Sequence, residues 1–285
     1  MIVNIIVSLM AIIVNWWLMV IFVTVLASFL GMPVAFGYQV QPWGAATIII
    51  VTLLALSLTP VADMFFRVIT GMRHPIREEA AKINVLFEKV CDSAGLSFSA
   101  FRLFVSDDKF PNAFALGRGN IAVSRGLLKH ASDAEIMAVM AHEVGHHKNG
   151  DTIATRIFWT VSVLGQVVLI AYRFVATFLV GFSRIRLPFV GVAALLVGVF
   201  LKLQVWLIEI FVMLPLTFGI LFGSRCQEYA ADRFAVEIGH GSGLLLFLHQ
   251  ILDEEGQPSG FFGVIWRTHP RTGERIRRLE DMGVA

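Results

Sequence analysis

The sequence predicts a mainly α, multi-pass membrane protein with about four transmembrane helices and a mixed α+β polar domain that carries a small β-hairpin or sheet. Three observations carry that expectation. The 285 residues are 56% hydrophobic and only 15% charged, too apolar for an ordinary soluble domain. The apolar residues collect in two long blocks instead of being spread over one core pattern. The polar stretches between and after them hold strand, turn and capping signals of a folded domain. A net charge of +2 with no polybasic run before the last few residues argues against nucleic acid as a partner. The two cysteines, Cys91 and Cys226, are read as reduced thiols, because their spacing fits neither a stapled secreted domain nor a four-cysteine zinc site.

Residues 2–62 contain no Asp, Glu, Lys or Arg. One span needs about 20 residues, so two fit in this N-terminal hairpin, residues 1–62. Its break is expected from Gly31-Met32-Pro33 to Pro42-Trp43-Gly44, with Tyr38 and Trp43 suited to an interface. A cleavable signal peptide does not fit, since no basic segment precedes an apolar run of this length. The polar block 63–156 follows. Residues 157–224 are apolar again, interrupted by Arg173, Arg184, Arg186, Lys202 and Glu209, and 225–285 are polar.

Within the first polar block, Ile76, Ala80, Ile83, Phe87 and Val90 make a helical stripe that Gly95 should end. Phe101 to Val105 and Asn120 to Ser124 read as short strands around Phe110-Pro111-Asn112-Ala113-Phe114-Ala115, with Gly117 to Asn120 as the turn. Ser132 and Glu135 have the spacing of a capping box, which starts a helix expected to stop at Asn149-Gly150.

That helix contains His142-Glu143-Val144-Gly145-His146. At 3.6 residues per turn the two histidines share a face and can present two imidazole nitrogens to one ion, with Glu143 reaching the open fourth position. One zinc ion is therefore expected, in a zincin-like domain. A catalytic zinc takes three protein ligands. Glu228, just beyond the second apolar block, is the candidate third ligand, and Asp232 lies one turn further where it can orient a histidine. Asp151, past the helix stop, is open as a cap or as a second histidine-orienting group. His269 is a candidate donor to a tetrahedral oxyanion, with a plain helix-start histidine before Pro270 as the other reading.

Pro111 to Ala115, Ala141 to His146 with Asp151, the Glu228 and Asp232 pair, and Thr268-His269-Pro270 before Arg275-Ile276 together resemble the HtpX family of membrane-bound zinc metalloproteases, a group related to the prenyl-protein CAAX proteases. The resemblance covers nearly the whole chain. It implies that His142, His146 and Glu228 bind zinc, that Glu143 is the base, and that the substrates are membrane proteins handled in quality control and stress response. It also implies a bacterial cytoplasmic (inner) membrane.

One ion cannot take ligands from both sides of a bilayer core about 30 Å thick with bonds of about 2 Å. Residues 157–224 must then cross an even number of times. Two crossings are expected, from Ile157 to about Phe182 and from about Phe189 in a helix ending near Ser224. Arg67, Arg73, Arg77, Lys148, Arg156, Arg225 and Arg233 flank the catalytic side, so that side should face the cytoplasm. Arg184 and Arg186 in the second hairpin loop argue the opposite way. The expected reaction is peptide hydrolysis, with Asn112, Ala113, Phe114 and Ala115 as an edge strand that pairs with extended protein substrates. Two rivals remain: an intramembrane zinc protease, and a zinc-bearing membrane scaffold that binds clients without cleaving them.

Overall fold

The computed structural model describes residues 2–29, 41–184, 188–253 and 272–284. The expected loop at Gly31 to Val40 and the candidate donor His269 lie outside these residues. The chain divides into two compact units, one of Leu58–Arg156 with Leu221–Ala285 and one of Ile2–Ser57 with Ile157–Ile220.

The apolar unit holds α1 (Ile2–Phe29) and α2 (Pro42–Ser57), then most of α7 (Asp151–Phe182) and α8 (Pro188–Ile208). Leu18, Met19, Ala46, Val168 and Leu169 form its buried cluster. Small residues let its helices approach: a Cβ at Gly198 would meet the Ala176 carbonyl at 3.0 Å. Among the described residues, α7 and the stretch 189–211 are each long and apolar enough to cross a bilayer, and α2 counted together with α3 (Pro60–Ile69) gives a third. A π-helical turn, Glu209–Met213, follows α8. Glu209 forms an ion pair with Arg173. Helix α9 (Leu214–Glu237) runs on well past Ser224, because Gln227 to Glu237 contains no Gly or Pro to stop it.

The polar unit is built on a four-stranded sheet ordered β1-β2-β4-β3, comprising β1 (Met72–Arg73), β2 (Arg102–Ser106), β3 (Ala113–Leu116) and β4 (Asn120–Ser124). β2 and β4 run parallel, while β3 pairs antiparallel with β4 in the register Ala115↔Ile121. β3 is an edge strand. Gly117 and Gly119 turn the hairpin at φ of 60° and 75°, a region that disfavours any side chain with a Cβ. Asn112 falls just before β3, where its carbonyl accepts from the Ser124 N–H at 2.8 Å and its own N–H donates to Ser124 Oγ at 2.9 Å.

Helix α4 (Arg77–Ala94) ends where expected, at Gly95 with φ 64°. Helix α5 (Arg125–His130) is capped by Ser124, whose Oγ accepts from the Leu127 N–H at 2.9 Å. Helix α6 (Asp133–Lys148) starts with the expected reciprocal cap: Ser132 Oγ accepts from the Glu135 N–H at 3.3 Å, and Glu135 Oε2 accepts from the Ser132 N–H at 2.7 Å. Helices α10 (Gly241–Asp253) and α11 (Thr272–Asp281) complete the unit. α6 runs through its core, packed by Ile83, Phe87, Ile121, Leu244, Leu248 and Leu279. Burial over most of its length is what holds the histidine motif rigid.

Candidate metal centre

Helices α6 and α9 approach so closely at Gly145 that a Cβ there would lie 2.9 Å from the Ala231 Cα. Ala231 is three residues beyond Glu228 on α9, so this contact draws the glutamate up to the histidines. His142 Nε2 and His146 Nε2 are 3.2 Å apart, and the Glu228 carboxylate reaches each of them at 3.3 Å. A tetrahedral ion with bonds of about 2.0–2.1 Å needs donor atoms about 3.3 Å apart. The two ring nitrogens have that spacing, Glu228 Oε2 faces His142 and Oε1 faces His146, and the group could hold a metal ion.

The outer nitrogens of both rings are held by carboxylates. Asp232 Oδ1 is 2.8 Å from His142 Nδ1, and Asp151 Oδ2 is 3.2 Å from His146 Nδ1. Each contact fixes a ring so that Nε2 turns inward. Asp151 sits in the first turn of α7, one residue after Gly150, whose φ of 75° turns the chain back toward α6.

Sequence reasoning gave no role to Arg275. Its guanidinium, buried on α11, donates from Nε to Asp232 Oδ2 at 2.9 Å and from Nη2 to Asp232 Oδ1 at 2.6 Å. It also stands 3.4 Å from Glu228 Oε2. The available signals were the place of Arg275-Ile276 among the family-like stretches and the Ile276 and Leu279 stripe beside it, neither of which marks a buried charge. Burial works to raise the Asp232 pKa, yet the Arg275 charge and the His142 hydrogen bond outweigh it and hold the carboxyl down to about 2. Burial works to lower the His146 pKa, and the Glu228 charge with the Asp151 hydrogen bond turns it well above the ordinary value. Glu143, Glu228, Asp232 and Asp151 are all buried. Four carboxylates against one guanidinium make a pocket suited to a divalent cation.

Glu143 Oε2 accepts the Ala115 N–H at 2.7 Å, which ties the motif glutamate to the edge strand. The hairpin turn is itself anchored, since Thr152 Oγ1 donates to the Gly117 carbonyl at 2.8 Å and the Asp63 and Arg156 ion pair crowds the same glycine. His147 points elsewhere, with its ring edge-on to Phe101 at 5.3 Å. Cys226 is exposed and Cys91 buried, both free.

Known proteins resemble this chain over most of its length. A protease HtpX homolog of Tropheryma whipplei is 29% identical over 239 residues, covering 75% of this chain and 77% of that protein. Another, of Acidiphilium cryptum, is 28% identical over 286 residues, covering 90% and 94%. The crystal structure of S. mikatae Ste24p aligns with a TM-score of 0.48 at 20% identity, over 81% of this chain and 56% of that one. A family model described as peptidase family M48 matches residues 77–283, a stretch that contains the histidine motif, both anchoring aspartates and Arg275, and the chain belongs to that family.

Proposed function

We propose that the protein is a membrane-embedded, zinc-dependent endopeptidase in which His142, His146 and Glu228 bind the metal and Glu143 is the general base. The observation that carries this reading is the meeting of two imidazole Nε2 atoms, 3.2 Å apart, with a carboxylate whose two oxygens each lie 3.3 Å from one of them, beside a further glutamate. A structural zinc is closed by four protein ligands, whereas three converge here among the described residues. Bound zinc would polarise a peptide carbonyl and lower the pKa of a water from 15.7 toward about 7. Glu143, steadied by the Ala115 N–H, takes a proton from the attacking water and returns it to the leaving amine. Asp232 and Asp151 orient the ligand rings, and Arg275 holds Asp232 and Glu228 in register. His269 is retained as candidate donor to the oxyanion.

Recognition is proposed along the β3 edge, Asn112 to Ala115. A peptide added there as a strand runs beside Glu143 and is read through its main chain, which tolerates many sequences. The spans are read as α1, α2, α7 and α8, with the site on the cytoplasmic side of a cytoplasmic membrane, supported by the basic flanks. Substrates are then misfolded or damaged membrane proteins, in the quality-control role that the resemblance to the HtpX family implies.

The test uses one pair of full-length proteins. Glu143→Gln should keep stoichiometric zinc and lose cleavage of casein. Equal cleavage by both proteins removes Glu143 as the base, and cleavage by neither favours the scaffold reading.

A further inference from the structure

Helix α3 is amphipathic in the wrong sense for a domain in water. At 100° per residue, Val61, Met64, Phe65, Val68 and Ile69 fall within an arc of about 140°, and all five are exposed, Val68 at 75%. No residue of α3 is buried. The opposite face carries the polar groups, and those face protein. Asp63 pairs with Arg156, and the Arg67 guanidinium lies over the Phe104 ring at 5.2 Å. A surface helix in water turns its apolar stripe to the core and its charges outward. Such an inverted arrangement is stable where the outer medium is itself apolar.

Chain continuity says which medium that is. Only Leu58 and Thr59 separate α3 from α2, and Pro60 opens the new helix. α2 has 16 residues, or about 24 Å at 1.5 Å per residue, several Å short of a hydrocarbon core of about 30 Å. An interfacial helix sinks about 5–10 Å into the boundary between headgroups and acyl chains, which is the missing depth. The exposed Arg77 follows eight residues after α3, as basic residues do at a headgroup surface, whereas Arg73 before it is held by Glu79 and Asp107.

We propose that α3 lies in the membrane surface, its Val61, Met64, Phe65, Val68 and Ile69 face seated in lipid, and that it fixes the substrate strand at that surface. The link runs through its inner face. Asp63 holds Arg156, and the pair crowds Gly117 at the turn between β3 and β4. Arg67 covers Phe104, which clusters with Phe114 of β3. A chain segment leaving the bilayer beside α3 meets the β3 edge before it is fully in water. The partner of this surface is the lipid bilayer, and the inference rests on reading α2 as a span.

The experiment measures depth in full-length protein carrying Cys91→Ala and Cys226→Ser, with a fluorophore on Val61→Cys or Val68→Cys, in phosphatidylcholine and phosphatidylglycerol vesicles. Retained casein cleavage confirms that each labelled protein is folded. Both labels should be blue-shifted and quenched more by lipids spin-labelled near the headgroup than by chain-end spin labels or aqueous iodide. A Val51→Cys label on α2, exposed to 57%, should be quenched most by the chain-end probe. If Val51 is not quenched by lipid, the reading of α2 as a span fails, and the inference with it. If Val51 is quenched and the α3 labels respond to iodide, α3 faces water and this inference alone falls. Protection of the α3 labels from every quencher means a protein covers the face, and strongest quenching by the chain-end probe means α3 continues a span. Either result overturns the proposal.

Discussion

Gly145→Ala tests whether the close approach of α6 and α9 builds the metal centre. The new Cβ would stand 2.9 Å from the Ala231 Cα and 3.2 Å from both its Cβ and its carbonyl oxygen. Carbon atoms prefer about 3.5–4.0 Å, so the helices must separate by roughly 0.6 Å or more. The obstacle is backbone and cannot swing aside. Glu228 rides on the same helix, one turn before Ala231, so its distances of 3.3 Å to the two rings would stretch well beyond the tolerance of about 0.2 Å expected of a metal site. Zinc affinity should fall at least about 10- to 100-fold, the range seen when supporting residues of metal sites are lost. Apoprotein stability should fall by no more than about 2 kcal/mol, because overpacking costs about 1–3 kcal/mol while alanine recovers about 1 kcal/mol of helix propensity over glycine. Competition titration against a chromophoric chelator gives the affinity, thermal unfolding in EDTA gives the stability, and Glu228→Ala marks complete loss. A zinc affinity within twofold of wild type would show that the 2.9 Å approach has no part in assembling the site.

Arg275→Met leaves Asp232 and Glu228 as neighbouring buried anions, so the apoprotein should lose about 3–5 kcal/mol and zinc should restore part of it. Arg275→Lys should not recover wild-type behaviour, since a lysine cannot fork across both Asp232 oxygens. Thermal shifts with and without zinc decide this, and a Lys variant equal to wild type would refute it. Gly117→Ala combines a φ of 60° with a collision against Asp63 and Arg156. The left-handed backbone alone costs about 1–2 kcal/mol, and casein cleavage should drop while zinc content stays at one per chain. Burial pushes the Cys91 thiol up to about 11, so at pH 8 iodoacetamide should modify Cys226 and spare Cys91 until the chain unfolds. The folded state keeps a proton that the unfolded chain releases from about pH 9 upward, so stability should decline as pH rises from about 9 to 11. Mass mapping of native and denatured samples, with unfolding midpoints across that window, checks both parts.

Local signals account for most of what could be read directly. The Ser132 cap, the Gly95 stop, the Gly117 turn and the strand patterns depend on residues within a few positions of each other, and each appears where its signal stands. The histidine pair was legible for the same reason, since one turn of helix fixes its spacing. The end of α9 was not, because a helix carries on through a change from apolar to polar residues when nothing breaks it. Arg275 stayed hidden because whether a guanidinium is buried depends on which carboxylates surround it.

The order of residues alone determined that one helix would offer two imidazoles to an ion, that an acidic pair would recur one turn apart, and that apolar blocks would divide the chain. Helical periodicity and hydrophobicity act along the chain and need no partner. Tertiary structure decided what crosses between segments: the contact at Gly145 that brings the Glu228 carboxylate to the two imidazoles, the Ala115 amide on Glu143, the guanidinium between two carboxylates, and the outward apolar face of α3. Each depends on atoms remote in sequence meeting within van der Waals or hydrogen-bond range, and only packing sets those distances.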